Sequence, residues 1–226
     1  MSKLPRPCIS LVTDRRLCVD TSLEEKVALA VEGGVNLVQL REKDLPGGRL
    51  LALAKRLKSI TRDKALFFVN ERVDVALACG ADGVQLPEEG MPVATVRELA
   101  GARLLVGRSV HSLEGAREAQ MAGGADFLQL GTIFESRSKP GVIPAGLELM
   151  KEVASHVSLP VIGIGGIDPS NAAQVMECGA WGVAVISAIL SREDPKEAAR
   201  RLARSVKNAT LAIPAPPSTS SGRAVR

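Results

Sequence analysis

Short apolar runs alternate along this chain with longer stretches in which apolar residues return every three or four positions. The short runs fall at 8–12, 37–40, 66–69, 83–86, 103–106, 127–130, 159–164 and 183–186. They carry few polar residues and read as buried strands. Between and after them, 23–31, 50–60, 73–79, 93–100, 113–122, 147–154, 171–177 and 196–206 have helical periodicity. Strand and helix in strict alternation predict parallel strands joined by helical crossovers.

A recurring phrase sets the number of units. Gly34-Val35-Asn36-Leu37-Val38-Gln39-Leu40 returns as Gly80-Ala81-Asp82-Gly83-Val84-Gln85-Leu86, as Gly124-Ala125-Asp126-Phe127-Leu128-Gln129-Leu130 and as Gly179-Ala180-Trp181-Gly182-Val183-Ala184-Val185. Each copy reads as a glycine that stops a helix, a short turn and a strand. The intervals of 46, 44 and 55 residues each hold strand, helix, strand and helix. Four double units make eight βα modules, so the predicted fold is α/β, a single (β/α)8 TIM barrel. The barrel domain is placed at 1–209. Residues 210–226 are rich in Pro and Ser and are predicted to form a disordered tail, too poor in apolar residues to offset chain entropy.

The 226 residues suffice for one large core. Aromatics make up only 2% and Tyr is absent, so Val, Leu, Ile and Ala must fill the barrel, and base-stacking surfaces are excluded. The net charge is +4, yet no basic cluster is long enough for nucleic acid. Cys8, Cys18, Cys79 and Cys178 form no Cys-x-x-Cys pair and read as small buried hydrophobes in a reducing compartment. Asp14, Arg15 and Arg16 interrupt the first apolar run, so neither a signal peptide nor a membrane span is expected, and the cytoplasm is the default location.

In such barrels chemistry collects where strands end. Gln39, Arg41 and Lys43 share one face if the second strand persists, crowd the mouth if it ends, and suit an anion, unless they form a solvated cluster with Glu42 and Asp44. Asn70 and Glu71 close the third strand, as a helix cap with a first-turn acid or as ligands to a divalent cation. Ser109 and His111 follow the fifth strand, and His111 there is an acid/base candidate or a structural residue. Ser136, Ser138 and Lys139 lie in the longest polar stretch, which reads either as an anion clamp or as an ordinary loop. Gly165 and Gly166 follow the seventh strand, with Ile186 and Ser187 at the eighth, where such barrels commonly hold phosphate on bare amides.

Taken together, Gln39-x-Arg41-x-Lys43, Val69-Asn70-x-Arg72-Val73-Asp74, Gly107-x-Ser109-x-His111, Ser136-x-Ser138-Lys139 and Gly163-Ile164-Gly165-Gly166-Ile167 resemble the thiamine-phosphate synthase and thiazole tautomerase family, in its order and over residues 8–206. The resemblance implies transfer of a pyrimidine-methyl group from its diphosphate to a thiazole phosphate, with loss of pyrophosphate. It implies that Gln39, Arg41, Lys43, Asn70, Ser109 and Lys139 hold the diphosphate. Ser136, Ser138, Gly165, Gly166, Ile186 and Ser187 would hold the thiazole phosphate, with Arg41, Lys43, Lys139 and His111 as the catalytic candidates. It also implies Mg²⁺ on carboxylates at the positions of Glu71 and Gly90. Gly90 has no side-chain ligand, so Glu88 or Glu89 is the expected substitute. Gln85-Leu86-Pro87 and the phrase around His111 look more like the tautomerase, in which the matching His moves a proton. A non-catalytic barrel that binds thiazole phosphate or thiamine phosphate is a third reading. The expected partners are small phosphorylated substrates, without nucleic acid or membrane, and a homodimer is compatible with them.

Overall fold

A computed structural model describes residues 4–136, 141 and 143–212. Eight parallel strands close in sequential order: β1 (Cys8–Val12), β2 (Leu37–Leu40), β3 (Leu66–Asn70), β4 (Gly83–Leu86), β5 (Leu105–Val110), β6 (Phe127–Gly131), β7 (Val161–Ile164) and β8 (Gly182–Val185). Helices α1 (Leu23–Glu32), α2 (Gly47–Thr61), α3 (Val73–Cys79), α4 (Val93–Ala100), α5 (Leu113–Ala122), α6 (Gly146–His156) and α7 (Ala172–Glu177) connect them, and α8 (Ser187–Leu190) and α9 (Pro195–Ala212) follow β8. This is the predicted (β/α)8 barrel.

The recurring phrase has a mechanical role. Its third residue ties the start of one strand to the strand before it. Asn36 Oδ1 accepts from the Ile9 N–H (2.8 Å), Asp82 Oδ2 from the Phe67 N–H (2.7 Å) and Asp126 Oδ2 from the Val106 N–H (2.6 Å). The backbones reciprocate, since the N–H groups of Asn36, Asp82 and Asp126 donate to the carbonyls of Ile9, Phe67 and Val106. A short polar side chain thereby satisfies a strand-end amide that has no ladder partner. In the fourth copy Trp181 replaces the polar residue, and its indole N–H donates to the Pro5 carbonyl (2.9 Å) beneath the barrel.

Inward-facing side chains form layers. In the middle layer Phe68 and Phe127 meet edge to face at 5.7 Å, packed with Cys8, Val12, Leu37, Ile162 and Ala184. Two glycines make room for the rings. A Cβ on Gly83 would lie 2.3 Å from the Phe68 ring, and one on Gly107 2.4 Å from Phe127. Two residues further along each strand, alternation places Gln39, Asn70, Gln85, Ser109 and Gln129 on the same inner face. On β7 the corresponding residue is Ile164, and just past β8 it is Ile186. The upper layer is therefore polar over β2–β6 and apolar over β7–β8.

Several boundaries differ from the sequence reading. Strand β5 runs on to Val110, so Arg108 and Ser109 lie within it rather than after it. Polar residues end its apolar run, but Ser109 is satisfied inside the barrel and the strand continues. Helix α9 extends to Ala212, three residues past the expected domain limit, with Thr210 Oγ1 donating to the Val206 carbonyl (2.8 Å). The remainder of the tail lies outside the described residues. A 3-10 turn at Arg15–Leu17 and the four-residue α8 are too short to leave a periodic signal. Of the four free cysteines only Cys8 is fully buried, and burial raises the thiol pKa of all four. Among the described residues no helix is long and apolar enough to cross a membrane.

Candidate active site

The polar half of the upper layer is cross-linked. Gln39 Nε2 donates to Asn70 Oδ1 (3.0 Å), and Gln85 Nε2 donates to Ser109 Oγ (3.0 Å). Three sequence-predicted residues, Gln39, Asn70 and Ser109, are thus brought to one arc of the barrel mouth, spanning β2 to β5. Gln85 was missed as a site residue. It occupies the same position in its repeat as Gln39 and Gln129, which is the signal that could have found it. Its Oε1 is the one buried side-chain polar atom without a partner among the described residues.

Above this layer the β2 exit carries Arg41, half-buried, and Lys43, exposed. Glu42, between them, is 95% buried. The Arg41 N–H donates to Thr13 Oγ1 (2.9 Å), and the Thr13 N–H to the Gln39 carbonyl (2.9 Å), so the loop after β1 holds this exit in place. Neither Thr13 nor Arg15 has a motif that would have marked it in the sequence.

Glu71 follows β3 at φ +64°, a backbone region that non-glycine residues seldom adopt. Its N–H donates to the Gln85 carbonyl (2.8 Å), and the next N–H, of Arg72, folds back to the Asn70 carbonyl (2.7 Å). The side chain is exposed. Arg72 is engaged by Asp74 through Nε (2.9 Å) and Nη2 (2.5 Å), which lowers the Asp74 pKa. Gly90 closes a turn, its N–H donating to the Pro87 carbonyl (2.9 Å), and a Cβ there would lie 2.8 Å from Pro87 Cδ. Glu88 is committed elsewhere: its Oε2 lies 2.5 Å from His111 Nδ1 and its Oε1 accepts from the His111 N–H (3.3 Å). Glu89 is exposed. Among the described residues no group of three or more His, Cys, Asp or Glu side chains could hold a metal ion. The two-carboxylate magnesium site implied by the family resemblance is not reproduced: one carboxylate, Glu71, stands at the first position and none at the second.

On the opposite arc the β6 and β7 backbones stay zipped beyond the strands. The Ile133 N–H donates to the Ile164 carbonyl (2.9 Å) and the Phe134 N–H to the Gly165 carbonyl (3.0 Å). The long loop returns to the same point, where Ala145 N–H meets the Thr132 carbonyl (2.8 Å) and Gly146 N–H the Ile133 carbonyl (3.1 Å). Ser136 therefore leaves from beside Gly165-Gly166. Ser138 and Lys139, in the same loop, lie outside the described residues. Gly165 and Gly166 have φ of +103° and +63°. A Cβ on Gly166 would lie 2.3 Å from the Glu135 carbonyl oxygen, so only glycine fits. Asn171 Nδ2 donates to the Gly166 carbonyl (2.9 Å) and Asn171 Oδ1 accepts from the Asp168 N–H (2.9 Å), which fixes the turn's orientation. Hydrogen bonds from Ser170 lower the Asp168 pKa. Ile186 and Ser187 begin α8 next door, both half-buried.

The mouth thus has a polar, cationic arc over β2–β5 and a glycine turn with a hydroxyl-bearing loop over β6–β8. Comparison with known proteins identifies the family. The family model described as thiamine monophosphate synthase matches residues 9–189. A thiamine-phosphate synthase of Roseiflexus sp. is 43% identical over 196 residues, 86% of this chain and 83% of the relative. One from Pyrococcus furiosus is 42% identical over 198 residues, 87% and 93% of the two chains. The solved structure of the thiamine phosphate pyrophosphorylase from P. furiosus superposes with a TM-score of 0.81 at 40% identity, covering 89% of this chain and 96% of its own. This chain belongs to the thiamine monophosphate synthase family.

Proposed function

We propose that the chain is a thiamine-phosphate synthase. It joins 4-amino-5-hydroxymethyl-2-methylpyrimidine diphosphate to thiazole phosphate and releases pyrophosphate. The observation that carries this reading is the two-part mouth. Polar amides at Gln39 and Asn70 lie beneath the cations Arg41 and Lys43, and across the opening a glycine turn adjoins Ser136. That arrangement supplies separate places for two phosphorylated ligands.

The chemistry follows from charge. The bond between the pyrimidine methylene carbon and the diphosphate oxygen breaks, and its electron pair leaves with pyrophosphate. The thiazole nitrogen then donates its lone pair to the methylene carbon, which carries the positive charge. Negative charge grows on the leaving oxygens, and preplaced cations stabilise it without reorganising. In this reading Arg41 forks onto the diphosphate and Lys43 adds a point charge. Gln39, Asn70 and Ser109 orient its stem, and Lys139 serves the same anion from the long loop. Ser136, Ser138 and the amides of Gly165, Gly166 and Ser187 take the thiazole phosphate, with Ile186 at their edge.

Magnesium, when bound to the diphosphate, would supply further charge neutralisation. Glu71 would hold it, with Glu89 as the substitute for the missing second carboxylate, and no step here is routed through it. The test is pyrophosphate release by purified protein given both substrates, with and without Mg²⁺. Release that requires both substrates and falls at least about tenfold in Lys43→Ala is expected. No release at any Mg²⁺ concentration would overturn the proposal.

A second reading rests on one contact. Glu88 holds His111 Nδ1 at 2.5 Å, the arrangement that orients an imidazole for proton transfer. It favours aromatisation of a thiazole precursor. If His111→Ala abolishes that conversion but spares pyrophosphate release, the tautomerase reading stands; full conversion by the variant removes it.

A further inference from the structure

Lys43 sits between two acids, and one residue from another strand holds both. Arg15, in the 3-10 turn after β1, gives its backbone N–H to Glu42 Oε1 (3.0 Å) and its Nη1 to Glu42 Oε2 (2.9 Å). The same guanidinium reaches Asp44, through Nη1 to Oδ1 (2.7 Å) and through a short contact from Nη2 to Oδ2. The two carboxylates flank Lys43 in the chain. Their environments differ: the Glu42 side chain is 3% exposed and that of Asp44 63%. Arg15 itself is about one-third exposed. One residue earlier in that turn, Asp14 is paired with Arg16 through Nε and Nη2 (both 2.8 Å), so it does not compete for Arg15.

Strand β2 ends at Leu40, and Lys43 and Asp44 lie in a turn closed by the Leu45 N–H donating to the Glu42 carbonyl (3.2 Å), so Glu42 and Asp44 are the anchors on either side of Lys43. Holding Glu42 therefore fixes the direction in which its neighbours point. A guanidinium suits this role because its planar fork reaches two carboxylates at once, which an ammonium cannot do with the same geometry. It also engages both carboxylates adjacent to Lys43 in the chain and offsets one of their two negative charges, which would otherwise compete with an anionic ligand for the ammonium.

We infer that Arg15 is a positioning residue for the cationic arm of the site: by clamping Glu42 and Asp44 it aims Arg41 and Lys43 at the diphosphate. The inference rests on the proposed function only in taking the diphosphate as the ligand of that arm.

The test compares Arg15→Ala, Arg15→Lys, Arg15→Ala/Glu42→Gln and Lys43→Ala. Each is measured for KM of the pyrimidine diphosphate, KM of the thiazole phosphate, calorimetric affinity for inorganic pyrophosphate, and melting temperature. Arg15→Ala is expected to raise the first KM and weaken pyrophosphate at least about tenfold, leaving the thiazole phosphate KM within about twofold. Arg15→Lys is expected to fall between wild type and alanine, and wild-type values in it would refute the clamp. The double variant removes the buried charge that Arg15→Ala strands, so its melting temperature recovers. Its KM for the diphosphate stays raised if Arg15 aims the arm, and returns to the wild-type value if Arg15 only compensates Glu42, which would overturn the inference. Should Lys43→Ala bind pyrophosphate normally, the assignment of the arm to diphosphate fails instead. Should Lys43→Ala weaken binding while Arg15→Ala does not, the clamp alone fails.

Discussion

Replacing Gly166 by alanine separates two costs that glycine turns usually combine. Gly166 and Gly80 have nearly the same left-handed backbone, φ +63° and +67°. An L-residue held there costs about 1–2 kcal/mol. The sites differ in what surrounds them. A Cβ on Gly80, which closes α3, meets nothing within 4 Å, whereas one on Gly166 would lie 2.3 Å from the Glu135 carbonyl oxygen and 2.7 Å from Phe134 Cβ. Overpacking of that kind adds about 1–3 kcal/mol. Gly80→Ala should therefore lower the melting temperature by about 3–6 °C and Gly166→Ala by about 10 °C, for a chain of this size. The clash partners begin the loop that carries Ser136, so relief of the overlap moves that loop. Gly166→Ala should raise the KM for thiazole phosphate about tenfold or more, with a smaller change for the pyrimidine diphosphate. Thermal unfolding and initial-rate kinetics on both variants read this out. Equal destabilisation of the two variants, with the thiazole phosphate KM unmoved, would refute the assignment of the turn to that phosphate.

Three further outcomes follow from packing and charge. Asp126→Ala leaves the Val106 N–H without its side-chain acceptor, at about 1–3 kcal/mol, and removes the ion pair of Arg97, whose guanidinium keeps the carbonyls of Gly124, Gly101 and Leu104, while Asp126→Asn keeps an acceptor and should lose less by urea unfolding; equal losses would mean that the ion pair, not the strand amide, matters. Gly83→Ala should destabilise by about 1–3 kcal/mol, and adding Phe68→Leu should restore only part of this, because the new methyl still lies 2.6 Å from the Leu105 carbonyl oxygen; full recovery would contradict that geometry. The pKa values of Asp14, Asp44, Asp74 and Asp168 are all lowered, that of Asp44 to about 2 by its hydrogen bonds with Arg15. Folded values below unfolded ones mean that the unfolded chain binds more protons in this window, so their contribution is complete above about pH 4 and is lost as pH falls toward about 2. A melting temperature that drops between pH 7 and 5 would show that other groups control acid unfolding.

What could be read from the sequence follows the length over which each signal repeats. The barrel was legible because its phrase occurs four times; each copy places a helix stop and an inward residue in register, and three of them place a tying residue, at 36, 82 and 126. The strand-end residues were legible because polar side chains at Gln39, Asn70 and Ser109 interrupt or close apolar runs, where such a barrel gathers its chemistry. Long-range choices were not. That Glu42 pairs with Arg15 rather than with Lys43 depends on a turn 27 residues earlier in the chain. That Glu88 serves His111 rather than an ion depends on two loops meeting over the β4–β5 edge. In both cases local composition offers an acid beside a base, and only the closed ring decides which base. Under the proposed assignment, the ring also explains why the two phosphorylated ligands need not compete. Sequential closure places β2–β5 and β6–β8 on opposite arcs, so the exit of β2 that carries Arg41 and Lys43 and the bare turn at Gly165-Gly166 border the same opening from different sides. Cleavage at one arc can then deliver its cation to a nucleophile held by the other, with charge separated across the mouth rather than crowded on one strand end.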